Sequence, residues 1–235
     1  MSSSGHTALV PAVLGWGYAE LPGNTRKAFE VALHAGSAPA LALALRGESF
    51  DHLPLLALTV VPPALAGLVL EGPIERRLGG VRSVAFAQLV AGAALLLADR
   101  RPQRRTAPNA ADHLLVGLAQ ALALAPGVSR SGAALTAARL RGLSREAAGS
   151  LALRAALPVT IGAAALKGLR VLRGGVPEEL RGPAAAGAAA ALASTLVALP
   201  LARGRRWGML AGYRMALGLV VLRTEAREHR NLGRP

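Results

Sequence analysis

The sequence is organised around Pro126-Gly127-Val128-Ser129-Arg130-Ser131-Gly132, which lies between two apolar runs at residues 114–125 and 133–140. The pattern predicts a tight loop between two hydrophobic helices, each of them too short to cross a bilayer alone. Such a pair is typical of a re-entrant helical hairpin. In a membrane, irregular backbone and a charged side chain persist only where they line a polar cavity.

The residues of this loop suit an anion. The backbone N–H groups that open the second helix point back into the loop, at the positive end of the helix dipole. Arg130 adds a planar fork of donors that matches phosphate oxygens. We therefore predict an anion site at membrane depth, with phosphate as the ligand. The alternative is a plain Gly/Ser turn between two helices.

The composition indicates a membrane protein. The chain has 235 residues, of which 52% are hydrophobic and 17% charged, whereas soluble domains carry about 25% charge. Several apolar runs approach the roughly 20 residues that span a bilayer. We expect an all-α, polytopic helical bundle that forms one membrane domain over residues 1–235. The chain has no cysteine, so disulfides and thiol chemistry are excluded.

The net charge of +14 comes almost entirely from arginines. They cluster between the apolar segments, as expected of loops that face anionic lipid headgroups. Because arginine clusters occur at both ends of some spans, the positive-inside rule does not decide the orientation of the chain in the membrane. Aromatic residues make up only 3% of the chain and do not alternate with basic ones, so we expect no nucleic-acid partner.

Apolar runs and breakers predict the remaining elements. A polar, Arg- and Pro-rich connector is expected at residues 99–109, a loop at 174–183, and a charged tail at 223–235 that frays into solvent. The predicted helices cover residues 7–14, 26–45, 52–70, 84–98, 145–172, 183–201 and 209–222.

An internal repeat is visible. Ser2-Ser3-Ser4-Gly5 aligns with Ser129-Arg130-Ser131-Gly132, and the same register places Gly15 on Gly142. After one gap, Pro39 falls on Pro158. If the matches are not coincidental, they predict two inverted repeats, at about 1–98 and 110–222, whose Ser-rich loops face each other.

The run from Ala125 to Ala133, followed by Gly142-Leu143-Ser144-Arg145-Glu146-Ala147-Ala148, resembles the undecaprenyl-diphosphate phosphatases. These are integral-membrane proteins linked to bacitracin resistance. Ser2-Ser3-Ser4-Gly5-His6 resembles the other signature loop of that family, and the resemblance runs along nearly the whole chain. The Pro-Gly-Val-Ser-Arg-Ser-Gly run is specific, whereas the Ser-rich run alone is not.

The resemblance implies spanning helices plus two re-entrant hairpins in inverted repeats. It implies hydrolysis of undecaprenyl diphosphate to the monophosphate and inorganic phosphate, which recycles the lipid carrier for cell-wall synthesis in the bacterial cell membrane. The implied partners are that lipid and the membrane, and a homodimer is left open. His6, Ser3 and Arg130 would be catalytic. The diphosphate pocket would be lined by Ser2, Ser4, Gly5, Gly127, Ser129, Ser131 and Gly132.

The chain departs from the family pattern at its start. A short helix with two glutamates normally precedes the first loop, and its carboxylates are thought to hold a divalent cation or assist proton transfer. Here the chain starts at the Ser-rich stretch, so we expect a truncated first hairpin and little activity from the form that begins at Met1. The resemblance thus implies a divalent cation, Mg or Ca, whose ligands are not identifiable in this chain. His34 stands where the family usually has glutamine.

The residues leave the mechanism open. His6 could act as the nucleophile or as a general acid and base, and Ser3 could be a nucleophile or only a phosphate ligand. The main functional hypothesis is the phosphatase. The alternative is a non-catalytic polyprenyl-phosphate binder or flippase on the same fold.

Overall fold

The computed structural model describes residues 3–44, 46, 53–174, 178–203 and 207–232. Within these ranges the regular elements are helices, apart from one isolated β-bridge between Arg105 and Leu143. The helices are α1 (Ser3–Leu14), a 3-10 turn (Gly17–Glu20), α2 (Gly23–Ala44), α3 (Leu53–Leu78), α4 (Val81–Asp99), α5 (Ala110–Leu122), α6 (Arg130–Leu140), α7 (Arg145–Gly174), α8 (Glu178–Arg203) and α9 (Trp207–Leu232).

Four of the described helices are long and apolar enough to cross a membrane. The segments that meet this requirement are Pro54–Leu78, Val81–Asp99, Arg145–Ala165 and Glu178–Pro200. Large apolar side chains stay exposed on them, as with Val69 on α3 and Val197 on α8, which suits a surface that faces lipid rather than water. The prediction of an all-helical, multi-pass membrane protein is therefore confirmed.

The helices pack closely through small residues. Helix α4 lies against α9, α2 against α8, and α3 against α5. Gly36 of α2 is so close to the carbonyl oxygen of Ala188 in α8 that a Cβ would not fit. Small residues permit this approach, which gives dispersion contacts where lipid provides no hydrophobic driving force. One buried cluster joins α4, α5, α6, α7 and α9, with Leu95, Val116, Ala134, Leu151 and Trp207 among its members.

Helices α5 and α6 form an antiparallel hairpin. Asp112, in the first turn of α5, accepts a hydrogen bond from Arg141 Nε at 2.9 Å, and Arg141 directly follows α6. It also accepts both Nη groups of Arg105, from the connector, at 2.8 and 2.9 Å. The hairpin therefore starts and ends on the same side of the bundle, and residues 123–129 form its tip.

A second ionic group lies beside the first. Arg145, at the start of α7, donates two hydrogen bonds to the carboxylate of Asp99, at the end of α4. Arg139 is buried and donates to the backbone carbonyls of Asp99, Arg101 and Leu143. A buried guanidinium needs acceptors for several N–H donors at once. Arg139 finds them in the connector and after α6, and it thereby attaches the connector to the base of the hairpin.

Several predicted boundaries were wrong. Helix α1 begins at Ser3 and not at residue 7, and α6 begins at Arg130 and not at residue 133, so parts of both predicted loops are helical. At α6 the reason is an N-cap, since Ser129 Oγ accepts the N–H of Gly132 at 3.2 Å, which satisfies a donor that would otherwise be free. Ser2 lies outside the described residues.

The later boundaries also differ. Helix α8 begins at Glu178, five residues before the predicted start, because two acidic residues in its first turn suit the positive end of the helix dipole. Helix α9 continues to Leu232, so the predicted frayed tail is helical over that length. Within this extension, Glu225 forms an ion pair with Arg82 of α4, at 3.4 Å.

The Asp112 carboxylate stabilises the fold in a pH-dependent way. Burial alone would raise its pKa, but hydrogen bonds from Arg105, Asn109 and Arg141 outweigh burial and lower the pKa to about 2 from the ordinary 3.8. A depressed carboxyl pKa means that this contribution is complete above about pH 4 and is lost as the pH falls toward 2.

We expect Asp112→Ala to lower the free energy of unfolding by roughly 3 kcal/mol, because it removes a fully buried carboxylate from two arginines. Thermal unfolding in detergent measures the change. The matched control is Glu178→Gln, whose ion pair with Arg181 is mostly exposed and is worth less than about 1 kcal/mol. Equal midpoints for the two variants would contradict a structural role for this group.

Candidate functional site

The tip of the hairpin is pressed against α4. Gly127 has a φ of +95°, a conformation that L side chains rarely adopt. A Cβ at this position would also collide with the carbonyl oxygen of Val84 in α4. Both the backbone conformation and the close approach therefore require glycine here.

The start of α6 forms the polar face of the tip. Ser129 is buried, and its Oγ lies 3.2 Å from Ser131 Oγ as well as accepting the Gly132 N–H. The first-turn N–H groups of α6 and its dipole make this end of the helix electropositive. Gly127, Ser129, Ser131 and Gly132, which are predicted from the resemblance to line the diphosphate pocket, thus lie at this tip.

Arg130 extends from this tip toward α2. Its Nη2 donates to His34 Nε2 at 3.2 Å. His34 Nδ1 in turn donates to the backbone carbonyl of Glu30 at 2.7 Å. The sequence analysis identified Arg130 but not its contact with His34, because the two residues lie 96 positions apart and meet only through packing.

Arg214 of α9 supports the tip from the opposite direction, and the sequence analysis missed it. It is 4% exposed, its Nε donates to Gln88 Oε1 at 2.9 Å, and its Nη2 donates to Gly127 O at 2.8 Å. A Cβ on Gly132 would lie 3.0 Å from its Nη1. The available signal was a single arginine in the apolar run 209–222, because intramembrane charge is usually functional.

His6 reaches the same helix. Its Nε2 lies 3.0 Å from the hydroxyl oxygen of Tyr213, and the two rings stack with centroids 5.6 Å apart. Tyr213 directly precedes Arg214, so consecutive residues of α9 contact the start of α1 and the tip of the hairpin. Gly5 is buried next to His6. The side chains of Ser3 and Ser4 lie outside the described part of the structure.

The arrangement favours an anion. The Arg214 guanidinium and a helix N-terminus meet at the tip, Arg130 extends from it, and the ion pairs among the described residues include neither arginine. Glu71 of α3 interacts electrostatically with Arg130. Within the described residues, no group of three or more His, Asp or Glu side chains could hold a metal ion.

We expect Gly127→Ala to cost at least about 2 kcal/mol of stability, through a left-handed backbone conformation and a collision with α4. Thermal unfolding of the purified protein in detergent tests this. The control is Gly162→Ala in α7, where a Cβ would meet nothing within 4 Å. A Gly127→Ala midpoint as high as that of the control would show that the tip is not pressed against α4.

The role of Arg214 can be tested by labelling, since the chain has no cysteine. In a Val128→Cys background, we expect Arg214→Lys to raise the rate of maleimide labelling about tenfold or more. Losing a hydrogen bond from a charged donor costs about 1.5–3 kcal/mol. The control is Arg223→Lys, an exposed position on the same helix. Unchanged labelling in Arg214→Lys would mean that this arginine does not hold the tip.

Comparison with known proteins identifies the family. The family described as bacitracin resistance protein BacA matches residues 1–220. The chain is 35% identical to an undecaprenyl-diphosphatase of Geobacter sulfurreducens, over 94% of this chain and 90% of that protein. It is 32% identical to an undecaprenyl-diphosphatase of Gemmatimonas aurantiaca, over 96% and 91%. The chain therefore belongs to the bacitracin resistance protein BacA family.

Proposed function

We propose that this protein is an undecaprenyl-diphosphate phosphatase that releases the terminal phosphate of the lipid and returns the monophosphate to cell-wall synthesis. The observation that carries the proposal is Arg130 in the first turn of α6, at a buried helix N-terminus beside a second arginine. Relatives named undecaprenyl-diphosphatase support the same activity.

Phosphoryl transfer depends mainly on charge neutralisation and positioning. In this proposal Arg130 and the N–H groups of α6 bind the phosphate oxygens, and Arg214 holds the tip in place. A water, the Ser3 hydroxyl or the His6 imidazole forms a bond to the terminal phosphorus while the bridging P–O bond breaks. The monophosphate lipid leaves with the bridging oxygen, which takes up a proton as required. If a side chain is the nucleophile, water then hydrolyses the phosphorylated residue and releases inorganic phosphate. If water or Ser3 attacks, His6 is the proton carrier, and Tyr213 orients its ring.

The inverted repeats are part of this proposal, and the packing of α4 on α9 supports them. A Cβ on Gly92 would lie 3.2 Å from Ala211 O, and one on Gly218 would lie 2.7 Å from Ala85 O. A single shift in sequence relates Gly92 to Gly218 and Ala85 to Ala211. Such reciprocal contacts between antiparallel helices are expected of a two-fold axis in the membrane plane.

The two short helices support the same relationship. Ser3–Leu14 and Arg130–Leu140 begin at aligned positions of the predicted repeat. The aligned glycines that follow them, Gly15 and Gly142, have φ values of +66° and +78°. In the proposed arrangement each helix enters the membrane as half of a re-entrant hairpin, so the starts of α1 and α6 face each other.

Three expectations remain proposals. We place the protein in the bacterial cell membrane, where a cell-wall lipid carrier would be recycled. A divalent cation is retained as a proposal, but no step is derived through it because the described residues offer no ligand group. A homodimer likewise stays a prediction, and no observation favours a non-catalytic binder or flippase.

We expect Arg130→Ala to reduce phosphate release from a polyprenyl diphosphate by a factor of about 100 to 1,000, because a contact to the transition state is lost. Arg130→Lys should fail as well, since a point charge cannot replace the planar fork. Purified protein in detergent, assayed for inorganic phosphate, provides the measurement.

Arg77→Ala, an exposed arginine at the end of α3, is the control and should keep wild-type turnover. The unfolding midpoint of each variant shows whether it is folded. Near-normal turnover in either Arg130 variant would remove Arg130 from the mechanism. Wild-type release no greater than that of Arg130→Ala would overturn the proposed activity itself.

A further inference from the structure

The contact between Arg130 and His34 determines which nitrogen of the imidazole carries the proton. The Glu30 carbonyl only accepts, so His34 Nδ1, at 2.7 Å from it, must be the donor. Arg130 Nη2 only donates, so His34 Nε2, at 3.2 Å, must offer its lone pair. Both contacts are satisfied at once only by the neutral ring with its proton on Nδ1.

A second proton on the ring would break this arrangement. The imidazolium would place an N–H against the Arg130 N–H groups, leaving two donors opposed. It would also place two positive charges a hydrogen-bond distance apart, in apolar surroundings where water screens them poorly. Arg130 would then leave its position beside α2, and the orientation of its fork at the tip of the hairpin would be lost.

We propose that His34 is a positioning residue that holds Arg130 for phosphate only while the imidazole is neutral, so that turnover falls on the acid side through His34. This rests on the proposed phosphatase function. An ordinary histidine titrates at about pH 6.5, and a neighbouring positive charge moves the gain of the second proton to lower pH. Glutamine at this position accepts the same hydrogen bond through its amide oxygen and does not titrate.

The other charged groups around His34 do not account for this dependence. On α3, Glu71 attracts Arg130, and because it is present in wild type and in His34→Gln alike, its effect does not change the ratio of the two. On α2 itself Glu30 lies one turn before His34. Of the other helices packed against α2, α1 carries His6, and α7 carries Arg154 and Lys167 away from its two ends, the side chain of Lys167 lying outside the described part. Helix α8 has no charged residue between Arg181 and Arg203.

Other histidines, His6 among them, also respond to acid, and the experiment separates them from His34. Phosphate release is measured from pH 7.5 to about 4.5 for wild type and His34→Gln. We expect similar turnover at pH 7.5, and a ratio of His34→Gln to wild type that rises severalfold toward the acid end of the range, below the ordinary histidine value of about 6.5, because the Arg130 charge opposes the second proton. Any acid loss that remains in His34→Gln belongs to other groups and cancels in the ratio.

Two further variants complete the test. His34→Leu offers no acceptor at any pH and should reduce kcat about tenfold across the whole range. His113→Gln is the matched control, because His113 also donates through Nδ1 to a carbonyl four residues earlier, at 2.9 Å, but lies at the base of the hairpin. It should reproduce the wild-type profile.

A constant ratio of His34→Gln to wild type, or wild-type kcat in His34→Leu, would overturn the proposal. A nitrogen-15 NMR titration of His34 is independent of turnover. The second proton should enter the ring at higher pH in Arg130→Leu than in wild type, and coincident titrations would overturn the contact. If no variant releases phosphate yet the titrations differ, the phosphatase proposal fails while the coupling between His34 and Arg130 stands.

Discussion

The site depends on a hydrogen bond that the backbone carbonyl of Gly127 accepts from Arg214. A chain reversal inside an apolar bundle leaves peptide groups without helical partners, and lipid offers none. Arg214 donates to this carbonyl from α9 and also to Gln88 of α4. One buried side chain thus joins two helices to the tip of the hairpin and satisfies a carbonyl that the irregular backbone would otherwise leave unpaired.

The arginine that supports the tip also adds positive charge inside the bundle. Arg214 brings a positive charge beneath the electropositive start of α6, and Arg130 brings a second one on the other side. Buried charges are costly unless they are paired. Among the described residues the pairing is incomplete, so the most direct complement is an anionic ligand. In the proposed site, Arg214 therefore supports the loop that presents Arg130 and the start of α6 to phosphate.

The opposite end of the hairpin shows the contrasting case. There, Asp112 and Asp99 pair with arginines from the connector and from the ends of α6 and α7. Each of these arginines has a carboxylate partner, so this end serves as the structural base of the hairpin. Rigid attachment at the base matters for the tip, because positioning errors of about 1 Å can cost a hundredfold in rate.

The sequence by itself determined the helical membrane class and the helix break around residues 126–132, and it singled out Arg130 as a candidate, since apolar runs, breakers and an isolated intramembrane charge are local signals. It did not place the helix starts at Ser3 and Arg130, because an N-cap contributes too little to stand out in composition. Only the tertiary structure joined Arg130 to His34 and Arg214 to Gly127. Those partners lie far apart in the chain, and which of them meet depends on how closely the small residues of the helices allow their backbones to approach.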